Sequence, residues 1–391
     1  MDPIRNPYSP GAGSRPPALV GRDAQLDAFD TTVQRLALGR PAKSLILTGL
    51  RGVGKTVLLH EFGRIAARHR WVHQPLEATE DLDLPASLAM VVRKAAMRLS
   101  MGERMAERRR RILGVLKRFQ MRWNFPDSTG GSTTLSIEPL AGIADSGILD
   151  EDLADLFIEV ATLAQVQGLG VVLTIDEIQY LPRDDLAALI VSLHRISQEA
   201  LPLLVVGAGL PSVPALAGEA KSYAERLFTF IRIKNLDRED AAAALSEPAT
   251  SEGVTWDQDA LDLIVATTRG YPYFLQEFGN QVWDVAGGPE VITVADALQA
   301  IPLALGELDT GFFTVRIDRT SDTERLYLSA MASLGEGPYS SGDVAAAMGR
   351  TTTQVGPLRD SLIKRGLCYS PRYGLIDFTV PMFDQFIRRA L

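Results

Sequence analysis

The octapeptide Gly49-Leu50-Arg51-Gly52-Val53-Gly54-Lys55-Thr56 leaves this chain fewer folds than any other stretch, because it reads G-x-x-x-x-G-K-[ST] without a mismatch. Its flanks carry the periodicities such a pattern needs. Ser44 to Thr48 is a short apolar run suited to a buried parallel strand, and Val57 to Phe62 opens a helical pattern. Strand, glycine loop and helix in that order gather backbone N–H groups and a helix N-terminus around one anion. The motif assigns Gly49, Gly52, Val53 and Gly54 to the cradle, Lys55 to the β- and γ-phosphates of ATP, and the Thr56 hydroxyl to Mg²⁺.

A second strand supplies the matching carboxylates. Val171-Val172-Leu173-Thr174-Ile175 is apolar throughout and runs into Asp176-Glu177, 121 positions after Lys55, which leaves room for the crossovers of a parallel sheet. At the end of such a strand Asp176 would hold Mg²⁺ through water and Glu177 would polarise the attacking water. Leu203 to Gly209 and Leu227 to Ile233 read as further strands, and Trp71 to Leu76 as another that Pro75 places at an edge. Strands alternating with helical patterns predict an α/β fold, a P-loop NTPase with a doubly wound parallel sheet.

Length and composition narrow the rest. A chain of 391 residues suffices for two or three domains. A single cysteine, Cys368, excludes an internal disulfide, and four scattered histidines argue against zinc. The N-terminus carries Asp2, Arg5 and several prolines where a signal peptide needs an apolar core, and the most apolar run, 200–216, is broken by proline and glycine. The expectation is a cytoplasmic protein with no membrane span.

Residues 1–18, rich in Pro, Gly and Ser, are expected to lie extended or disordered. The P-loop core should occupy 19–235, with a basic helical insertion near 86–148. Within 86–123, eleven basic residues face only Glu103 and Glu107, a local charge of +9 inside a chain whose net charge is −8. Met105, Ile112, Leu116, Phe119 and Trp123 recur at helical spacing along the same tract, and 124–148, with Gly130-Gly131, reads as a linker outside any core. A helical lid is expected over 236–317. Residues 318–391 offer three helices and two strands, the elements of a winged helix. Thr351 and Gln354 have capping-box spacing for its third helix, whereas Pro357 argues for a later start.

With these motifs assembled, the chain resembles the AAA+ ATPases, most closely the initiator branch related to origin-recognition ATPases and the neighbouring STAND signalling ATPases. The resemblance covers about residues 15–390 and rests on Val20-Gly21-Arg22, the phosphate loop, Ile175-Asp176-Glu177-Ile178-Gln179 and Ala224-Glu225-Arg226-Leu227-Phe228. Gly270-Tyr271-Pro272 resembles the G-x-P signature of STAND proteins. Gly207 to Pro211 and Tyr271 to Gln276 look like a bacterial group of ATP-binding proteins with the same layout. The resemblance implies that Val20 and Gly21 line the adenine pocket and that Pro272 contacts adenine. It also implies that Arg226 acts as an arginine finger on a neighbouring subunit's nucleotide. Slow turnover would fit two departures: the fourth strand ends in Gly207-Ala208-Gly209 where relatives place a polar sensor, and although Arg269 stands near the place of a lid arginine, Gly270-Tyr271-Pro272 suggests the STAND arrangement instead.

Two uses of a nucleotide-driven lid compete. In one, the winged helix and the basic tract 104–122 contact double-stranded DNA through Arg350, Arg359, Lys364, Arg365 and Arg372, although residues 318–391 carry only nine basic against eight acidic groups. In the other, the chain is a switch whose winged helix packs on the lid or receives a protein partner. Either use is compatible with nucleotide-dependent assembly of several copies. The basic tract stays open between a solvated helix packed on the core, nucleic-acid contact, and a protein or anionic membrane partner.

Overall fold

The computed structural model describes residues 1–11, 13–99, 106–124, 138–288 and 290–391. Arg104, Met105 and the Gly130-Gly131 turn of the sequence reading lie outside them. Five strands form the central sheet: β1 (Ser44–Thr48), β2 (Val72–Glu77), β3 (Val171–Asp176), β4 (Leu203–Gly209) and β5 (Phe228–Arg232). All pairings are parallel and the order is β2-β3-β4-β1-β5. Pro75 lies on β2, at the edge, where its missing N–H costs the ladder nothing.

Alternation along the strands divides the core in two. One face takes Leu45 and Leu47 of β1 and Leu204 and Val206 of β4, and packs on α1 (Asp23–Ala37) and α2 (Lys55–Arg68). Phe29 of α1 stacks on Phe62 of α2 at 4.3 Å, both fully buried. The opposite face takes Ile46, Leu173 and Val205, beneath α3 (Leu84–Leu99), α4 (Ala106–Trp123), α5 (Leu149–Val166), α6 (Arg183–Gln198) and α7 (Val213–Ala220). The sheet is therefore wound on both sides, as the strand–helix alternation predicts.

The basic tract is two helices, α3 and α4, and Ile112, Leu116 and Phe119 of its apolar stripe are buried. Its charges are largely spent within the chain: Arg111 grips Glu159 through two bonds of 2.7 and 2.8 Å, and Arg118 pairs with Asp145 at 2.8 Å. The expected linker 124–148 needs correcting where it is described. Leu140 N–H donates to Gly114 O, Ala144 is 1 % exposed, and Leu140 and Ile143 pack against the second core, so the segment is anchored to that core by these residues while most of the others stay exposed.

After the four-residue α8 (Ala224–Leu227) and β5, the chain becomes helical: α9 (Arg238–Ser251), α10 (Gln258–Thr268), α11 (Pro272–Val285) and α12 (Val294–Glu307). A two-stranded parallel pair, β6 (Thr255–Trp256) and β7 (Val291–Ile292), ties the region together. A π-helical turn, Leu308–Thr314, and α13 (Val315–Ile317) lead into the last unit. That unit runs α14 (Asp322–Ser333), β8 (Tyr339–Ser340), α15 (Ser341–Ala347), α16 (Thr352–Lys364), β9 (Cys368–Tyr369), β10 (Leu375–Phe378) and α17 (Phe383–Ala390), with sheet order β8-β10-β9. The Thr351–Gln354 capping box forms, and α16 starts at Thr352 despite Pro357. A proline in the second turn removes an N–H whose partner would be Thr353 O, and the double cap outweighs that loss.

The apolar cluster beside α1 and α2 continues without a break through α9 to α12 and into Tyr327, Met331, Phe383 and Phe386. Residues 1–11 join it. Tyr8 is 4 % exposed, its hydroxyl donates to Leu245 O at 2.5 Å, and the Asn6 amide donates to Asn280 and Asp284. The segment expected to be extended or disordered is a strap fastened across the helical region. No helix among the described residues is long and apolar enough to cross a membrane.

Candidate functional site

The phosphate loop joins β1 to α2 at the carboxyl end of the sheet. Gly49 N–H donates to Gly209 O at 3.1 Å, which ties the loop's start to the end of β4. Gly52 has φ +80° and faces Tyr271: a Cβ there would lie 2.7 Å from the tyrosine hydroxyl, so only glycine fits. Arg22, 7 % exposed, braces the loop from behind, donating to Val53 O at 3.1 Å and Lys234 O at 2.8 Å.

Lys55 opens α2 and is 5 % exposed; its Nζ donates to Gly49 O at 3.0 Å and Leu50 O at 2.8 Å. Burial pulls its pKa down to about 8, the carboxylates of Glu177 and Asp176 oppose that, and the Arg51 charge adds to it. Thr56 Oγ1 donates to Asp176 Oδ2 at 2.6 Å, so the two residues assigned to Mg²⁺ meet although 120 positions separate them. A hydroxyl and a carboxylate are hard oxygen donors, and two protein ligands completed by phosphate and water oxygens are what a magnesium site uses.

Glu177 follows β3 in a left-handed conformation, φ 51°, an uncommon state for a non-glycine residue that the surroundings must hold in place. Its carboxylate accepts from Gln179 Nε2, and Gln179 Oε1 in turn accepts from Leu210 N–H at 3.1 Å. A Cβ at Gly209 would lie 2.5 Å from Gln179 Oε1. The glycine-ended fourth strand thus leaves the space that Gln179 fills, and the polar group absent from β4 is supplied from the segment after β3.

A cavity of about 280 Å³ connects these groups. Gly52, Val53, Gly54, Lys55, Thr56 and Glu177 line it, as do Val20 and Pro272. Gly21 lies outside the lining and abuts Asp240. Gly49 is also outside it, beneath the lysine, and Asp176 reaches the site through Thr56. Arg226 is exposed on α8 and does not line the cavity. Arg269, at the end of α10, is likewise outside, paired with Glu336 at 2.9 Å. Arg22 of the Val20-Gly21-Arg22 motif lines it too; sequence reasoning assigned no role to the other two lining arginines, Arg51 and Arg316, nor to Tyr273, Gln276 and Phe312. It also missed the strap: Ser9, Gly11, Gly13, Ser14 and Pro16 form one wall, and Gly13 passes close to the Thr56 methyl. Arg51 was visible as a charge at an unconstrained position of the motif; Arg316 carried no signal.

A glycine loop with a buried lysine, a hydroxyl–carboxylate pair and a second carboxylate beside one cavity is the arrangement of a P-loop nucleotide site. Residues 18–206 match the AAA ATPase domain. The matched region spans the phosphate loop, Asp176, Glu177 and most of β4. A second family model, described as a domain of unknown function, matches 310–387. No curated protein matches the sequence. Among solved structures, the Walker-type ATPase PABY2304 of Pyrococcus abyssi superposes with a TM-score of 0.57 at 16 % identity, covering 97 % of this chain and 99 % of that one. The Orc1 protein of Aeropyrum pernix, solved in complex with DNA, gives 0.46 at 16 % identity over 95 % and 93 %. The RuvB Holliday junction branch migration motor of Thermotoga maritima gives 0.46 at 14 % identity over 91 % of each chain. The α/β P-loop fold with a helical region after it is common to this chain and the Pyrococcus protein.

Proposed function

We propose that the chain binds Mg–ATP and hydrolyses it slowly, as a switch whose nucleotide state is read by the helical lid and the C-terminal unit. One observation carries this reading: a single cavity is walled by the phosphate loop, by Glu177, by the strap, by Pro272 and Tyr273 of α11, and by Arg316 of α13. Nucleotide in that cavity would touch the phosphate loop, the strap and the helical region at once, and the C-terminal unit rests on Arg51 of the same loop, so the terminal phosphate would bias their mutual packing.

In the reaction, Glu177 accepts a proton from water as the water oxygen forms its bond to the γ-phosphorus. The bond from γ-phosphorus to the bridging oxygen breaks, and ADP leaves with that electron pair. Mg²⁺, held by Thr56 and Asp176, would neutralise phosphate charge. Val20 and Pro272, both in the cavity lining, would contact adenine, with Gly21 fixing the turn that presents Val20. Arg226, exposed and remote from the cavity of its own chain, would serve only the nucleotide of a neighbouring copy in a nucleotide-dependent assembly.

For the last unit, α14 to α17 with the sheet β8-β10-β9 suits a winged helix, and the contacts favour a packing role over DNA. Arg51 N–H donates to Thr379 O at 3.3 Å, so this unit rests on the phosphate loop itself. Arg365 bonds Arg319 O and lies 3.3 Å from Glu324, and Arg359 pairs with Asp360, which uses two of the five cations expected for DNA. The second reading, contact with double-stranded DNA, keeps Arg350, Lys364 and Arg372, all exposed.

ATP turnover measured at several protein concentrations, with and without double-stranded DNA, tests both. The switch reading expects slow turnover that Glu177→Gln abolishes and DNA leaves unchanged; stimulation by DNA that Arg350→Ala and Lys364→Ala reduce would transfer the assignment to the second reading. Restored activity on mixing Arg226→Ala with Glu177→Gln chains supports the finger in trans, and no restoration removes it.

A further inference from the structure

Three guanidinium groups line the cavity with Lys55; Arg22 is held by the carbonyls of Val53 and Lys234, and among the described residues neither Arg51 nor Arg316 forms an ion pair with a carboxylate. Arg51 donates from Nη2 to the Tyr180 hydroxyl at 2.7 Å and abuts Gly366, while its Nε is buried with no hydrogen-bond partner. Arg316 lies with its guanidinium carbon 3.6 Å from the centre of the Phe312 ring and donates from Nη1 to Phe312 O at 2.5 Å. Phe312 stacks on Tyr273 at 4.9 Å, so an aromatic pair holds the Arg316 side chain in the cavity wall.

This grouping is electrostatically unfavourable in the free protein. Burial and the neighbouring Arg51 charge both push the Arg316 guanidinium below its ordinary value, and Arg51 also weighs on Lys55. Like charges in a site of low dielectric repel unless an anion lies between them. Close by, the Tyr271 hydroxyl is fully buried with no partner, a second unfilled polar atom at the loop. The loop amides and Lys55 account for the inner phosphates of a nucleotide. Glu177, which must face the phosphorus that water attacks, lines the same cavity, and Arg51 is close enough to act on both Lys55 and Arg316, so the additional cations are available to the outermost phosphate.

We propose that Arg51 and Arg316 together clamp the terminal phosphate of a nucleoside triphosphate within one chain, so that the site separates triphosphate from diphosphate before any neighbouring copy engages. The clamp rests on the nucleotide reading above and deepens it. Arg316 belongs to the connector between the helical region and the C-terminal unit, and Arg51 lies beneath Thr379 and Gly366 of that unit. Closing on a phosphate therefore draws on the same contacts that seat the C-terminal unit.

The test is calorimetric titration of the full chain with Mg–ATP and Mg–ADP, for the wild type, Lys55→Ala, Arg51→Gln, Arg316→Gln and Arg316→Lys. The wild type should prefer ATP by about tenfold or more. Arg51→Gln and Arg316→Gln should each weaken ATP by about tenfold while ADP moves by less than about twofold, and Arg316→Lys should recover part of the loss. Equal losses for ATP and ADP, or no loss for either, overturn the clamp. A wild type that binds no nucleotide strikes the nucleotide reading itself. Binding that Lys55→Ala abolishes but the arginine variants leave intact removes only the clamp. Should a glutamine variant melt before titration, the wild-type preference decides alone, and near-equal ATP and ADP affinities overturn the proposal.

Discussion

Lys55 folds its ammonium group onto the carbonyls of its own loop, and burial leaves it with a pKa of about 8. A lowered lysine binds its proton less tightly in the folded chain than in the unfolded one, so this group's penalty on folding is full below about pH 8 and fades as pH rises towards the ordinary lysine value. Polyphosphate reverses the shift. ATP binding should therefore be flat with pH below about 8 and weaken above it, by up to about tenfold per pH unit, as the free site loses its proton; affinities measured across that window check it. At Glu177 the partner is Gln179. Gln179→Ala should lower kcat about tenfold with little change in KM, because it orients the base without touching substrate. Gly209→Ala should act similarly and destabilise the fold by about 1–3 kcal/mol, since its methyl group would displace Gln179; a kcat unmoved by both substitutions would remove Gln179 from the site. The residues that sequence reading found, Lys55, Thr56, Asp176 and Glu177, are those whose chemistry dictates both type and spacing. Gln179 and Arg316 act through proximity that only folding creates, and no spacing rule marks them.

Among the elements, the N-terminal strap has the most direct effect on the cavity. Its proline and glycine content reads as disorder because the segment has no helical or strand period, yet Tyr8 alone supplies a buried ring and a hydrogen bond that fix it. Tyr8→Phe should cost about 1–2 kcal/mol, by leaving Leu245 O and Trp256 Nε1 without their partner, a loss that denaturant unfolding would measure. Removal of residues 1–16 should speed nucleotide dissociation about tenfold by opening one wall. Stopped-flow release of a fluorescent ATP analogue reads this, and an unchanged rate would make the strap purely structural. The start of α16 was legible in the capping spacing of Thr351 and Gln354, which states it locally, whereas Pro357 pointed to a later start that the helix does not follow. The 138–148 segment was not legible: besides the adjacent α5, what holds it is Arg118 and Arg122, more than twenty positions away in sequence.

Across the whole molecule, one apolar cluster runs from α1 and α2 through the helical region to α17. A continuous core of this kind should melt in a single cooperative transition, and ATP should raise its midpoint, by about 2.7 kcal/mol of stability at a hundredfold excess over Kd. Scanning calorimetry with and without Mg–ATP checks both; separate transitions for the lid and the C-terminal unit would contradict the coupling that the switch requires. Sequence periodicity gave the doubly wound sheet its elements, but the seating of the C-terminal unit on Arg51 depends on tertiary contacts that no local pattern encodes.

The most direct test of the whole account is ATP binding and single-turnover hydrolysis by the wild type beside Glu177→Gln and Lys55→Ala. The account predicts that the wild type and Glu177→Gln both bind Mg–ATP, that Glu177→Gln hydrolyses it about a hundredfold or more slowly, and that Lys55→Ala scarcely binds it. Equal hydrolysis by the wild type and Glu177→Gln, or ATP binding untouched by Lys55→Ala, would contradict it.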